Sequence, residues 1–134
     1  MVAIDLVTAN RIIEACVVEG KQIGRNFSIV VVDEGGYLVS AQRMDGAAFL
    51  SPQIALGKAY GCAAFRREGP QLQAMGGNAA FVDSLVSITG GKFVASLGAA
   101  RILVDGNQIG AVGVSGAAPE QDQQVAEAGV RSLS

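Results

Sequence analysis

Lys58 is the residue whose position most needs an explanation. In "SPQIALGKAYGCAAFRR" a helical wheel gathers Ile54, Gly61 and Phe65 into a narrow stripe around it, with Cys62 alongside, so a cation stands where a helix would bury an apolar side chain. Two readings are open. In the first, the stem lies on apolar surface and the ammonium reaches water or a carboxylate. In the second, Gly57 and Gly61 leave room for a ligand and Lys58 offers its charge to that ligand's carboxylate. A lysine desolvated there would have a lowered pKa and could serve as a base or as an imine-forming amine.

A second candidate pair closes the run "YLVSAQRMD". Side chains of a strand alternate, so Arg43 and Asp45 leave on one face at the end far from the preceding turn. Arg43 offers a two-pronged donor to a carboxylate and Asp45 could orient it. The plainer alternative is a solvated ion pair at a strand end. The geometry predicts that the pair borders a cleft beneath the start of the following helix, because only residues 46–50 separate it from Ser51.

Histidine is absent. That excludes Ser-His-Asp and Cys-His arrangements, a histidine base and an imidazole-ligated metal, and no metal site is expected. The segment "GAVGVSG" is neither G-x-G-x-x-G nor G-x-S-x-G and falls in a hairpin, so it does not read as a dinucleotide loop or a nucleophile elbow. Ser115-Gly116 and Gly76-Gly77-Asn78 each precede a helix, where backbone N–H groups could receive an anion.

The elements that must position these residues follow from the hydrophobic period. Leu6, Ile12, Ile13, Cys16, Val17 and Ile23 recur as one face of a helix over about Asp5–Lys21. Ile29 to Val32 are consecutive and mostly β-branched, the pattern of a strand buried on both faces. Glu34, Gly35 and Gly36 are read as supplying the positive backbone angles of a hairpin turn. Ser51 can cap and Pro52 suits the first turn of a helix over about Pro52–Arg66. A short helix after Gly69-Pro70 and another through Phe81, Leu85 and Val86 come next. Ile102–Val104 and Ile109–Val114 flank Asp105-Gly106-Asn107 as a second hairpin, and a closing helix carries Glu120 and Asp122 in its first turn, where carboxylates suit the helix dipole. Two hairpins with helices between and at both ends predict an α+β domain with an antiparallel sheet.

Composition bounds the rest. A chain of 134 residues forms one domain, residues 1–134, and no apolar run is long enough to span a membrane. Only 16% of residues are charged where about a quarter is usual, so part of the surface should be covered by another copy of the chain. A net charge of −2 with 5% aromatic residues disfavours nucleic acid. The first twenty residues lack a basic leader, which favours a cytoplasmic setting. Cys16 and Cys62 read as small core residues and not as a disulfide.

In order along the chain, "VVVDEGGYLVSAQRMDGA", "SPQIALGKA" and "GAVGVSGA" with a later aspartate and "AEAG" resemble the GlcG/HbpS family, also called haem-degrading or DUF336 proteins and related to the C-terminal domain of PduO-type corrinoid adenosyltransferases. The resemblance covers nearly the whole chain. It implies a profilin-like five-stranded antiparallel sheet flanked by helices, with an added strand near Lys92–Ser96, and it implies homo-oligomers. Some members of that family bind haem, and others are encoded with glycolate, diol or aromatic catabolism. The chain departs from the family pattern where K-A-x-T-A is common, reading Lys58-Ala59-Tyr60-Gly61-Cys62, and it has no counterpart to a haem-ligating histidine. Haem iron would have to take Tyr60, Cys62, Lys58 or Met44.

The expectation is a small-molecule-binding protein holding haem or another carboxylated ligand in a cleft between sheet and helix, lined by Arg43, Asp45, Lys58, Gly61, Cys62 and Ser115. The alternative is a cofactor-independent enzyme acting on a small carboxylated or carbonyl metabolite, with Lys58 as its base or amine nucleophile.

Overall fold

The computed structural model describes residues 3–134; the first two residues of the N-terminal stretch read above lie outside them. Helix α1 (Leu6–Ile23) is capped by Asp5, whose carboxylate accepts the Thr8 N–H at 2.8 Å. Strands β1 (Ser28–Asp33) and β2 (Leu38–Arg43) form the first hairpin. Helices α2 (Ser51–Phe65), α3 (Gly69–Met75) and α4 (Ala79–Ile88) follow. The second hairpin, β3 (Ala99–Val104) and β4 (Asn107–Ser115), leads into α5 (Pro119–Arg131). The order of the sheet is β2-β1-β4-β3 and every pairing is antiparallel. The domain is α+β, as expected, with four strands. No helix among the described residues is long and apolar enough to cross a membrane.

Alternation within the two central strands builds the layers. Ile29, Val31, Val112 and Val114 point to one face and pack with Ile12, Ile13 and Cys16 of α1 and Val125 of α5. Val30, Val32 and Ala111 point to the other and pack with Ala55, Ala59 and Cys62 of α2. Strand β4 carries large residues toward α1 and α5 and small ones toward α2, so α2 lies close on the sheet.

Three local expectations are corrected. Only Gly36 has positive φ in the first turn (+83°), because the Asp33 carboxylate organises it by accepting the N–H groups of Gly35 and Tyr37 at 2.9 and 3.0 Å. Ser51 does not cap α2: Leu50 is the N-cap, and the Ser51 hydroxyl instead bonds Ser28 Oγ and the Ala48 carbonyl, both at 2.7 Å. Residues 92–96 do not add a fifth strand. They cross α2, where the Val94 N–H donates to the Gly57 carbonyl at 3.3 Å. The second turn is as read, with Asp105 and Gly106 both at positive φ.

Both cysteines are free and buried, as their reading as core residues requires. Burial pushes each thiol from its ordinary value near 9 up to about 12. An acid whose folded pKa is raised contributes stability that is complete below its unfolded pKa and declines as pH rises through the folded value. Stability should therefore fall between about pH 9 and 12. Native protein at pH 8 should not react with an aromatic disulfide reagent, and both thiols should react in denaturant; rapid native labelling of either would contradict this burial.

Candidate functional site

The Lys58 side chain points inward from α2 as its stripe requires and is 3% exposed. Its Nζ lies 3.0 Å from Asp122 Oδ2 in a buried ion pair and donates to the Val114 carbonyl, also at 3.0 Å. Asp122 stands in the first turn of α5, and its Oδ1 accepts the Ala117 N–H at 3.0 Å. Burial pushes the Asp122 carboxyl up, while the Lys58 ammonium and the backbone N–H groups of Ala117 and Gly116 oppose the rise. The N–H groups just after Ser115 do receive an anion, and it is the chain's own. Ser115 is buried at the end of β4, next to the carbonyl that Lys58 holds.

Gly98, at φ +114°, closes over this pair: a Cβ there would stand 2.8 Å from Lys58 Nζ and 3.0 Å from the Asp122 Cβ. Only glycine permits that approach. Lys58 thus ties α2 to the end of β4 and the start of α5, with its ammonium shielded from solvent. It neither faces a cleft nor stands as an accessible amine.

The space read beside Gly57 and Gly61 is taken by the chain itself. A Cβ at Gly57 would collide with the Val94 side chain, and one at Gly61 would stand 2.8 Å from the Phe93 ring. The two glycines admit the segment that crosses α2 and leave no room for a ligand. Cys62 is packed against this layer, its Sγ 4.0 Å from Gln108 Nε2.

Arg43 and Asp45 do border a cleft, on a different wall from the one expected. The cleft, about 330 Å³, is lined by Val17 and Lys21 of α1, Asn26, Gln42 and Arg43 of β2, Met44 and Asp45. The end of α1 forms its side, not the start of α2. Strand alternation stops at Arg43, and Asp45 lies in the turn that follows. Both side chains are exposed, and among the described residues no hydrogen bond or ion pair engages either; the sole ion pair is Lys58 with Asp122. Met44 anchors the floor, its Sδ accepting the Phe27 N–H at 3.3 Å. Lys21, in the last turn of α1, is the charged cleft residue that sequence reading missed, and Asn26 and Gln42 were missed with it. The lysine's signal was available as a cation on the turn nearest the end of β2.

The residues expected to form one site therefore separate. Arg43 and Asp45 stand at an open cleft with Lys21, while Lys58, Ser115, Gly61 and Cys62 lie inside the protein. The cleft can hold a small anion through two cations and can accept a donor at Asp45.

Comparison with known proteins finds relatives of nearly the whole chain. Residues 4–131 match the family model described as "Haem degrading protein HbpS-like". The chain is 38% identical over 111 residues to protein GlcG of Escherichia coli K12, covering 80% of this chain and 77% of that protein. The crystal structure of Klebsiella pneumoniae protein ORFY superposes with a TM-score of 0.88 at 27% identity, covering 99% of this chain and 92% of that one. A PduOC:heme complex superposes with a TM-score of 0.86 at 27% identity, covering 98% and 95%.

Proposed function

The chain belongs to the HbpS-like family, and from that premise we propose that it is a small-molecule-binding protein whose cleft at Arg43 takes an anionic, carboxylated ligand. The observation that carries the proposal is the Arg43 guanidinium, unpaired among the described residues and lining a cleft beside Lys21. A guanidinium held at a strand end with no protein partner keeps its planar donors for a carboxylate.

Haem is the group the family suggests, and the residues present fit it only at its rim. Lys21 and Arg43 suit two carboxylates. The iron finds no ready side chain at the cleft: histidine is absent, Tyr60 packs its ring against Gly36 and does not line the cleft, Lys58 is held by Asp122, the Cys62 thiol stays protonated at neutral pH, and the Met44 sulfur already accepts the Phe27 N–H. Val17 and Met44 supply the apolar wall of the cleft, a small surface for a macrocycle. The proposed ligand is accordingly a small carboxylate, with no step assigned to haem.

Titration calorimetry with a panel of mono- and dicarboxylates should find a binder whose affinity falls by about 1.5–3 kcal/mol in Arg43→Ala, the range for hydrogen bonds to charged groups. Unchanged affinity in that variant would remove the cleft from the proposal. A haemin titration gives the rival outcome: a saturable Soret shift that survives Arg43→Ala and disappears in Met44→Leu would replace the small carboxylate with haem.

A further inference from the structure

The two edges of the sheet are treated differently. At β3 the Glu68 carboxylate accepts the Arg101 N–H at 3.1 Å, so that edge is partly blocked by the start of α3. At β2 no hydrogen bond beyond its ladder with β1 reaches the backbone of residues 38–43 among those described. The strand reads "LVSAQR", with no proline or lysine and a single charge at its last residue. Natural edge strands left open usually carry such blocking residues.

An apolar groove runs beside this open edge, between β2 and the first turns of α2. It measures about 140 Å³ and is lined by Val30, Leu38, Ala41, Pro52, Gln53 and Leu56. A cavity of roughly 150 Å³ lined by aliphatic side chains admits benzene. Phe49, in the loop that joins β2 to α2, is 85% exposed, and Leu38 is 60% exposed. One stretch of about twenty residues thus carries an open hydrogen-bonding edge, an apolar groove of phenyl size and an unburied phenyl ring.

We infer that β2 pairs antiparallel with β2 of a second copy about a two-fold axis, and that Phe49 of each copy fills the groove of the other. Antiparallel pairing places the Arg43 end of one strand, and the loop that carries Phe49, beside the partner's Leu38. The contact is self-complementary, as a two-fold interface requires, and each half of it is already on this chain. That is why the occupant is a second copy and not an unrelated apolar peptide. The low charge content, 16% of residues, agrees with a face that is covered.

Light scattering after gel filtration, with native mass spectrometry, tests the inference on the full chain at tens of micromolar. The wild type should be an assembly of even subunit number. Phe49→Asp and Leu38→Lys should each halve its mass or weaken association at least a hundredfold, with unchanged far-UV circular dichroism. Ile88→Asp, on the exposed apolar surface of α4 where Ile88 is 80% exposed, should leave the mass unaltered. An equimolar mixture of Phe49→Asp and Leu38→Lys should form heterodimers, because that pairing keeps one Phe49 contact and sets aspartate against lysine in the other. A monomeric wild type, an unaltered mass in Phe49→Asp, a mixture that stays apart, or dissociation by Ile88→Asp alone would each overturn it.

Discussion

Lys58→Ala should lower the unfolding free energy by about 3–5 kcal/mol, the cost of leaving one member of a buried ion pair without its partner. The carboxylate left behind, Asp122, is 3% exposed and already has its pKa raised by burial, so water is a poor substitute for the lost ammonium. The Val114 carbonyl loses a donor as well. Against a typical domain stability of about 5–15 kcal/mol this is a large share. The double variant Lys58→Met, Asp122→Leu should recover most of the loss, because apolar groups of similar size avoid desolvating two charges. It should not recover all of it, since the Ala117 N–H loses its acceptor. Urea denaturation of the three proteins measures these differences, and carboxylate affinity of the folded fraction should stay at the wild-type value throughout. A single variant that loses ligand binding at a stability cost under about 1 kcal/mol would return Lys58 to the ligand site.

Much of the fold was legible because its signals are local. Ile29 to Val32 announce a central strand by being apolar on both faces, and Asp105-Gly106 is a turn that few other dipeptides can make. The fifth strand came from the family resemblance alone, and the segment at 92–96 instead bonds α2, the Val94 N–H donating to the Gly57 carbonyl. Nothing in that segment alone distinguishes pairing with a strand from crossing a helix. The site was harder for the same reason. A core-facing lysine announces that a counter-charge must exist, and Asp122 is 64 residues away. Its place in a first helical turn has a sufficient local explanation in the helix dipole, which concealed the longer one. Gly57 and Gly61 were read as empty space because a missing side chain reports a close approach without saying who approaches. Arg43 and Asp45 line a cleft walled by α1 and not by the start of α2, because strand alternation fixes which way a side chain leaves the sheet and not which helix it meets.

Gly113→Ala should be as damaging, by about 3 kcal/mol or more, although it adds a single methyl group. Gly113 lies inside β4 and pairs with Val30 on one side and Ala99 on the other, so the strand cannot move aside without breaking two ladders. A Cβ there would land on the Ala55 carbonyl oxygen and stand 2.7 Å from the Ala59 nitrogen. Those atoms are helix backbone, and no rotamer change removes them. Alanine would gain about 0.5–1 kcal/mol of strand preference over glycine, against an overpacking cost that ordinarily reaches about 1–3 kcal/mol and is higher where neither side can yield. Helix α2 is also pinned from other directions, by Lys58 at the end of β4 and by Gln108 Nε2 donating to the Cys62 carbonyl at 3.1 Å. The displacement must therefore strain those bonds or lift the whole helix. Gly77→Ala is the matched control, because its methyl group would meet only the Ala74 carbonyl oxygen at 3.4 Å, and it should change stability by no more than about 0.5 kcal/mol. Equilibrium unfolding of both variants, with hydrogen exchange across residues 51–65, measures the contrast. Equal costs at the two positions, or undiminished protection of α2 in Gly113→Ala, would show that the helix does not rest on the sheet as closely as the small residues of β4 require.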